Sequence, residues 1–280
     1  MINARLSDRT FARLSNSSLA RKLLLPKGIE ILTTSERQRS RWLEIGVPRD
    51  RVEVTGNLKV DALTLNDRNP FDSKTLRHQF GFPENSFVLT GISTWEGEEE
   101  MLVDVLKELR KKKIAAHLLL IPRHAERRGN VAAMLSQKVA HYHLRTQSVQ
   151  APHGTLGYLA DTTGELSSLI QCSDLAFCGK TLPPHRGGQN PIEPVSLGIP
   201  LVLGPNFQNF RQTCKDLLVH QAVLTAESLQ GVKSALLSLA QSQSKRIQLR
   251  QHALAWMDAQ GSPSVRTLEK IHLLLSHPSK

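Results

Sequence analysis

Residues 87–124, FVLTGISTWEGEEEMLVDVLKELRKKKIAAHLLLIPRH, carry the pattern of one strand, one helix and a second strand. Two short apolar runs, Phe87–Ile92 and His117–Ile121, have the length and composition of buried strands. Between them, Glu98–Lys112 repeats apolar residues at helical spacing and begins with acidic residues, which favour a helix start. Two buried strands joined by a helix predict a parallel βαβ unit.

The same alternation continues towards the C-terminus, so we predict an α/β fold with a doubly wound parallel sheet. The further strands are expected at Gly157–Ala160, Leu175–Cys178 and Leu201–Leu203. Helices are expected between and after them, at Ala125–Gln137, Leu166–Gln171, Pro191–Leu197, Phe210–Val219, Glu227–Gln241, Ser244–Ala259 and Ser264–Ser276.

A shorter α/β unit is predicted ahead of this region. Its expected strands are Ile29–Thr33 and Val52–Thr55, and its expected helices are Asp8–Leu25 and Ser35–Leu43. The polar, turn-rich stretch that follows is the best candidate for a linker. We therefore predict three parts: the C-terminal remnant of an N-terminal α/β domain at 1–60, a linker at 61–70, and a complete second domain with closing helices at 71–280.

Charge and cysteine usage limit the possible partners and compartments. Lys and Arg outnumber Asp and Glu by 36 to 25, a net charge of +11 that favours anionic partners. The three cysteines are an odd number without Cys-x-x-Cys spacing, which predicts neither disulfides nor zinc and suits a reducing compartment. No apolar run is long enough to span a membrane, and the first ten residues lack a secretion signal, so we expect a cytoplasmic or peripheral chain.

Four loops that follow predicted strands are candidate ligand sites, because parallel sheets bind ligands at the carboxyl ends of their strands. The first loop contains Ser93 and Thr94, whose hydroxyl groups either face a ligand or cap a helix. The second contains Pro122, Arg123 and His124. A guanidinium group at this position can hold a phosphate by paired hydrogen bonds without a metal, although a surface arginine is the alternative.

The third and fourth loops contain glycines before predicted helices. In the third, Gly164 allows close approach of a ligand to the backbone, and an ordinary turn explains it almost as well. The fourth, residues 187–194, reads GGQNPIEP. Asn190, Pro191 and Glu193 fit a capping box, which leaves the double glycine unexplained. Flexible backbone before a helix suits an anion, and a carboxylate just inside the helix can accept bonds from ribose hydroxyl groups.

Taken together and in this order, the four loops resemble the C-terminal domain of the 3-deoxy-D-manno-octulosonic acid (Kdo) transferases, which build the inner core of lipopolysaccharide. The similarity extends to Asn3–Ser7, Thr55–Lys59, Asp174–Phe177, Gly204–Pro205 and Asn209–Phe210, and covers the chain from Asn3 to about Leu275. The resemblance implies a GT-B fold, in which two Rossmann-like domains face a cleft. It also implies that the second domain binds the nucleotide sugar CMP-Kdo.

The resemblance implies roles for individual residues. Those expected to bind CMP are Pro122, Arg123, Thr163, Gly164, Glu165, Asn190, Pro191, Ile192 and Glu193, with Glu193 on the ribose. Lys59 is expected to stabilise the negative charge of the departing phosphate. Candidate contacts to the rest of the donor are Ser93, Thr94, Gly187, Gly188 and Gln189. No metal and no cofactor are expected.

The resemblance also implies partners and a location. The expected donor is CMP-Kdo, the acceptor is a lipid A precursor, and the anionic membrane surface is a further partner. The chain would lie peripherally at the cytoplasmic face of the inner membrane, with no transmembrane segment of its own. Nucleic acid is not an expected partner, because the basic residues are scattered and no helix-turn-helix pattern is visible.

The chain departs from the family pattern in three ways. Family members usually carry a further N-terminal stretch, which holds the membrane anchor, most of the acceptor domain and the glutamate that acts as general base. We therefore expect the isolated chain to have little activity, because a general base typically contributes roughly 10²- to 10⁴-fold. Gln189 replaces a usual histidine, Gly179–Thr181 replaces Gly-Gly-Ser, and Trp95 replaces a common histidine, so the sugar contacts are expected to differ.

Three alternatives remain at the level of sequence. A related GT-B glycosyltransferase that uses a UDP-sugar would share the fold and the ribose-binding carboxylate. A non-catalytic fragment that binds CMP would share the whole nucleotide site. A nucleic-acid-binding module is the least favoured, because it gives the glycine loops no purpose.

Overall fold

The computed structural model describes residues 1–26, 28–61 and 72–276. It divides into two compact units, Met1–Asn66 with Ala259–Lys280, and Asp67–Asp258. Apart from Asp61, the predicted linker at 61–70 lies outside the described residues.

The first unit contains a small parallel sheet. Strands β1 (Ile31–Thr33) and β2 (Val52–Val54) pair with Ile31 opposite Val52. Its helices are α1 (Asp8–Asn16), α2 (Ser18–Leu24), α3 (Glu36–Glu44) and the last helix of the chain, Pro263–Ser276. Apolar side chains including Leu14, Ile31, Trp42 and Val52 form the core of this unit.

The helix predicted at Asp8–Leu25 is two helices in the structure. Ser17 has an extended backbone, with φ −137° and ψ 108°, and its hydroxyl group accepts a hydrogen bond from the N–H of Ala20. Serine favours this role because its short side chain satisfies a free donor at a helix start. Ser17 therefore ends α1 and begins α2.

The last helix belongs to the first unit, although we predicted it as a closing helix of the second domain. Lys270 forms a 2.8 Å ion pair with Glu53, and the Nε atom of Arg266 donates to the carbonyl of Thr55 over 3.1 Å. Asp61 accepts the backbone N–H of Ser264. These contacts join residues about 200 positions apart, which no local pattern can reveal.

The second unit has a doubly wound parallel sheet, as predicted. Among the residues that the structure describes it has seven strands, in the spatial order β5–β6–β4–β3–β7–β8–β9. They are β3 (Phe87–Thr94), β4 (Ala116–Pro122), β5 (Tyr142–Leu144), β6 (Gly157–Leu159), β7 (Leu175–Cys178), β8 (Leu201–Leu203) and β9 (Leu224–Thr225). Every pairing is parallel.

Helices flank this sheet. They are α4 (Ser73–Gln79), α5 (Glu98–Lys111), α6 (Arg128–Lys138), α7 (Leu166–Leu169), α8 (Ile192–Ser196), α9 (Arg211–Val219), α10 (Leu229–Gln241) and α11 (Gln243–Gln260). The last helix of the chain, which belongs to the first unit, is α12 (Pro263–Ser276). The sequence did not predict α4, β5 or β9. The two strands have three and two residues and lie at the edges of the sheet. Edge strands are less completely buried, so their sequence shows a weaker apolar pattern.

The order of the strands creates a crevice beside β3. From β3 the chain builds one side of the sheet through β4, β5 and β6, and then returns to place β7 on the other side of β3. In such sheets the carboxyl ends of the two strands at this reversal mark the usual ligand site. The loops after β3 and β7 are therefore the centre of the candidate site.

Candidate functional site

The backbones after β3 and β7 are in direct contact. The N–H of Gly179 donates to the carbonyl of Ile92 over 2.8 Å. A Cβ atom at Gly179 would lie 2.3 Å from the carbonyl oxygen of Ser93, so only glycine fits. Ser93 itself has φ 51° and interrupts the pairing of β3 with β4. The two loops thus form one closely packed floor of the crevice.

Glu98, the first residue of α5, holds these two loops together. Its side chain is almost fully buried, and its two carboxylate oxygens accept four backbone N–H groups. Oε2 accepts from Trp95 and Lys180, and Oε1 from Thr181 and Leu182, over 2.8–3.2 Å. Burial raises the pKa of Glu98, and the four N–H donors oppose that rise. Glu98 is therefore a structural residue, which the sequence did not distinguish from its acidic neighbours.

The next two acidic residues are also paired within the protein. The carboxylate of Glu99 forms two hydrogen bonds with Arg127, at 2.8 and 3.3 Å, and Glu100 forms an ion pair with Lys138. The acidic run therefore does not face a ligand. Thr94 does not either: its side chain is fully buried, and within the described residues its hydroxyl group has no hydrogen-bond partner.

Arg123 directly follows β4, at the carboxyl end of that strand. Pro122 is buried at the end of β4, and the backbone N–H of Arg123 donates to the carbonyl of Thr94 over 3.1 Å. The side chain of Arg123 is exposed, and in residues 1–26, 28–61 and 72–276 its guanidinium group meets no acidic partner. An unneutralised guanidinium group on a fixed backbone is suited to a phosphate.

The loop after β6 offers backbone rather than a carboxylate. Thr163 and Gly164 are exposed, and Gly164 has φ 86° with nothing near its missing Cβ. The carboxylate of Glu165 is held by Arg145 through two hydrogen bonds of 2.6 and 2.8 Å. These bonds lower the pKa of Glu165 and raise the pKa of Arg145. A role for Glu165 in binding is thus limited to its backbone.

The double glycine serves packing instead of forming an anion cradle. Gly187 and Gly188 are buried, with φ 106° and 72°. The N–H of Gly187 donates to the side chain of Gln208, and that of Gly188 to the carbonyl of Lys180. A Cβ atom at Gly188 would lie 2.9 Å from the Cα of Phe207. The interpretation of these N–H groups as free donors for a ligand is therefore wrong.

The helix that follows begins one residue later than the capping box required. Helix α8 starts at Ile192, which is buried, and its preceding residue is the buried Pro191. Asn190 accepts the N–H of Ile192 over 3.2 Å. The carboxylate of Glu193 accepts the hydroxyl group of Ser167 in α7. With five residues, α8 has too few aligned peptides for a large dipole.

Glu193 and Arg123 lie at the same edge of the sheet. Ser167 follows β6, which pairs with β4, and Arg123 is the residue after β4. All strands are parallel, so the loops after β4, β6 and β7 emerge from one edge. The half-buried Gln189 lies there too, and its backbone N–H donates to the carbonyl of Gly179.

An aromatic and cationic cluster in the loops after β3, β4 and β7 was not predicted. Trp95 makes ring contacts with His124 and His185, with centroids 5.2 and 5.4 Å apart, and the Nζ atom of Lys180 lies 4.3 Å from the centroid of the indole ring. Lys180 has φ 59°, which is unusual for a residue with a side chain. We refer to these four residues, Trp95, His124, Lys180 and His185, as the Trp95 cluster.

Lys59 belongs to the first unit. It is exposed in a helical segment at 58–61, and its backbone N–H donates to Asn57 over 3.2 Å. Its ammonium group has no ion-pair partner among the described residues. Within those residues there is also no helix long and apolar enough to cross a membrane, and no group of three or more His, Cys, Asp or Glu residues placed to hold a metal ion.

Comparison with known proteins gives consistent similarities. Residues 1–62 match the family described as 3-deoxy-D-manno-octulosonic-acid transferase. A 3-deoxy-D-manno-octulosonic acid transferase of Haemophilus influenzae is 30% identical over 247 residues, 87% of this chain and 57% of that protein. One of Chlamydophila psittaci is 31% identical over 67% of this chain and 42% of its own length. The chain thus spans about half the length of these relatives.

Solved structures show the same fold. The C-terminal CMP-Kdo-binding domain of WaaA from Acinetobacter baumannii is 28% identical, with a TM-score of 0.57, over 69% of this chain and 95% of that domain. A putative UDP-N-acetylglucosamine 2-epimerase of Listeria monocytogenes, 12% identical, has a TM-score of 0.63 over 98% of this chain and 66% of its own, which shows similarity of fold alone.

The parallel sheet, its crevice and these similarities define a GT-B-like α/β protein. Among the proteins compared, the chain is similar to the 3-deoxy-D-manno-octulosonic acid transferases in particular.

Proposed function

We propose that this chain binds CMP-Kdo through its second unit and takes part in the transfer of Kdo to a lipid A precursor without a metal ion. The observation that carries the proposal is the exposed, unneutralised guanidinium group of Arg123 at the carboxyl end of β4. The 28% identity with a CMP-Kdo-binding domain supports the choice of nucleotide.

The geometry around Arg123 supports the binding of a nucleoside monophosphate. Its backbone is fixed to Thr94, so the guanidinium group can take up a phosphate without first ordering the loop. The exposed backbone at Thr163 and Gly164 borders the same edge of the sheet. Glu193 is half-buried there, with one carboxylate oxygen on Ser167, and we propose that the carboxylate also accepts the ribose hydroxyl groups.

The chemistry of the transfer calls for a cation near the leaving group. When the bond between Kdo and CMP breaks, a phosphate monoester departs and negative charge develops on it. A fixed cation stabilises that charge more in the transition state than in the ground state, which lowers the barrier. We propose Arg123 for this role, since its side chain is exposed and has no acidic partner in the described part of the chain. The role that the resemblance implies for Lys59, in the first unit, stays a prediction.

The test is calorimetric titration of the full chain with CMP, with and without EDTA. We expect binding in the micromolar to millimolar range that EDTA does not change. Arg123→Ala should weaken CMP binding by about 1.5–3 kcal/mol, which is about 10- to 150-fold. Arg128→Ala is the matched control, because Arg128 is also exposed but begins α6. UDP binding tighter than CMP would favour a UDP-sugar enzyme, and no CMP binding would end the proposal.

An exposed apolar surface on α2, in the first unit, supports the proposal that the acceptor is a lipid in an anionic membrane. On α2, Leu19, Leu23 and Leu24 are 66%, 74% and 63% exposed, and Lys22 is exposed beside them. Apolar side chains that insert at the headgroup boundary, together with a cation that meets anionic lipid, are typical of helices that bind membrane surfaces. We propose that this face of α2 contacts the membrane that contains the acceptor.

Vesicle sedimentation tests this part of the proposal separately. We expect the chain to bind vesicles that contain anionic lipid more tightly than zwitterionic vesicles. A double variant, Leu23→Ser with Leu24→Ser, should reduce binding. Val219→Ser is the control, because Val219 is 78% exposed in the second unit. Equal binding of the double variant and the wild type would show that α2 is not the membrane contact.

A further inference from the structure

The Trp95 cluster contains a cation, Lys180, that has no acidic partner among the described residues. Lys180 lies over the face of Trp95, and across the described residues no carboxylate forms an ion pair with its ammonium group. An aromatic face holds a cation in place without neutralising its charge. Lys180 therefore keeps its positive charge available at the crevice.

The backbone of Lys180 is fixed in a conformation that disfavours lysine. Its φ is 59°, where L-residues with a Cβ meet steric conflict. Its N–H donates to Glu98 over 2.8 Å, and its carbonyl accepts the N–H of Gly188 over 3.0 Å. A glycine would fit this backbone with less strain, so a lysine here is consistent with a function of its side chain.

Trp95 is held by the same carboxylate. Its backbone N–H also donates to Oε2 of Glu98, over 2.9 Å. Its indole Nε1 atom is buried and, within the described residues, has no hydrogen-bond partner. Glu98 thus fixes the positions of both Trp95 and Lys180, and the pair forms a pre-organised cationic subsite.

The position of this subsite suits one particular group of the proposed donor. β4 and β7 are the two neighbours of β3, so Arg123 and Lys180 extend from strand ends about 10 Å apart, twice the usual strand spacing. In a 2-ulosonic acid such as Kdo, the anomeric carbon that carries the phosphate also carries the carboxylate. The carboxylate of the donor therefore lies next to its phosphate, and Lys180 is a second cation at the same strand ends as Arg123.

We propose that Lys180, positioned by Trp95 and Glu98, binds the carboxylate of the acidic donor sugar and so determines donor specificity. This inference rests on the proposed function of the second unit. It differs from the role of Arg123, because Lys180 would recognise the sugar acid and not the nucleotide.

The experiment compares CMP and CMP-Kdo binding to the full chain by calorimetry. In Lys180→Gly the backbone keeps its conformation and only the cation is lost. We expect this variant to bind CMP like the wild type and CMP-Kdo about 10-fold more weakly, the loss of one charge-assisted contact. Lys180→Arg should restore most of the affinity for CMP-Kdo. Lys233→Ala is the matched control, because Lys233 pairs with Asp104 over 3.2 Å.

The outcomes separate this inference from the proposed function. If Lys180→Gly weakens CMP and CMP-Kdo equally, Lys180 is a phosphate ligand and the inference is overturned. Unchanged binding of both ligands also overturns it, while the proposed function stands. If the wild type binds no CMP at all, both fail together. Thermal unfolding of each variant shows whether the fold is intact.

Discussion

Replacement of Glu98 by glutamine tests how the crevice is held together. In the wild type each carboxylate oxygen of Glu98 accepts two backbone N–H groups, from Trp95 and Lys180 on one side and from Thr181 and Leu182 on the other. Glutamine has almost the same shape but only one acceptor oxygen. In either orientation, its NH₂ group faces two N–H donors that can no longer bond.

The magnitude follows from those two lost acceptors. Each buried N–H group without a partner costs about 1–3 kcal/mol, so Glu98→Gln should lower the free energy of unfolding by about 2–6 kcal/mol. Domains are typically stable by only about 5–15 kcal/mol, so the change is large. Glu100→Gln is the control. Glu100 is exposed and forms an ion pair with Lys138, and an ion pair at the surface adds little to stability because water screens it.

Urea unfolding at neutral pH, followed by circular dichroism, measures both variants. We expect the midpoint for Glu98→Gln to fall far below that for Glu100→Gln, with CMP affinity reduced as the two loops separate. If Glu98→Gln lies within about 1 kcal/mol of the wild type, the four hydrogen bonds do not hold the crevice and the reasoning fails.

Gly179→Ala should cost about 2–4 kcal/mol because its Cβ would meet backbone at 2.3 Å, whereas Gly164→Ala, with φ 86° but open space, should cost about 1 kcal/mol; melting temperatures compare them. Arg145 lowers the pKa of Glu165 below its ordinary 4.5, so this pair stabilises the fold above about pH 4.5 and is lost as the pH falls through the lowered pKa; Glu165→Gln should be less sensitive to acid in unfolding measured against pH. Burial raises the pKa of every cysteine thiol, so a thiol reagent should react only slowly with the native chain. In urea, where the chain is unfolded, the same reagent should modify three thiols. These are Cys172, Cys178 and Cys214.

Sequence alone was enough to predict the doubly wound sheet and the position of Arg123. Buried parallel strands need continuous apolar runs, so β3, β4 and β7 are visible as such, and Arg123 directly follows one of them. The order of the loops along the chain also carried the resemblance to the Kdo transferases.

Tertiary structure decided which polar groups remain available to a ligand. Glu165 is bound by Arg145, twenty positions away, and Glu98 by one loop more than eighty positions away as well as by Trp95 nearby. Gly187 and Gly188 pack against a later loop. The sequence records residue types and local periodicity, whereas availability depends on partners that only folding brings together. For this reason the cation over Trp95 became visible only in three dimensions.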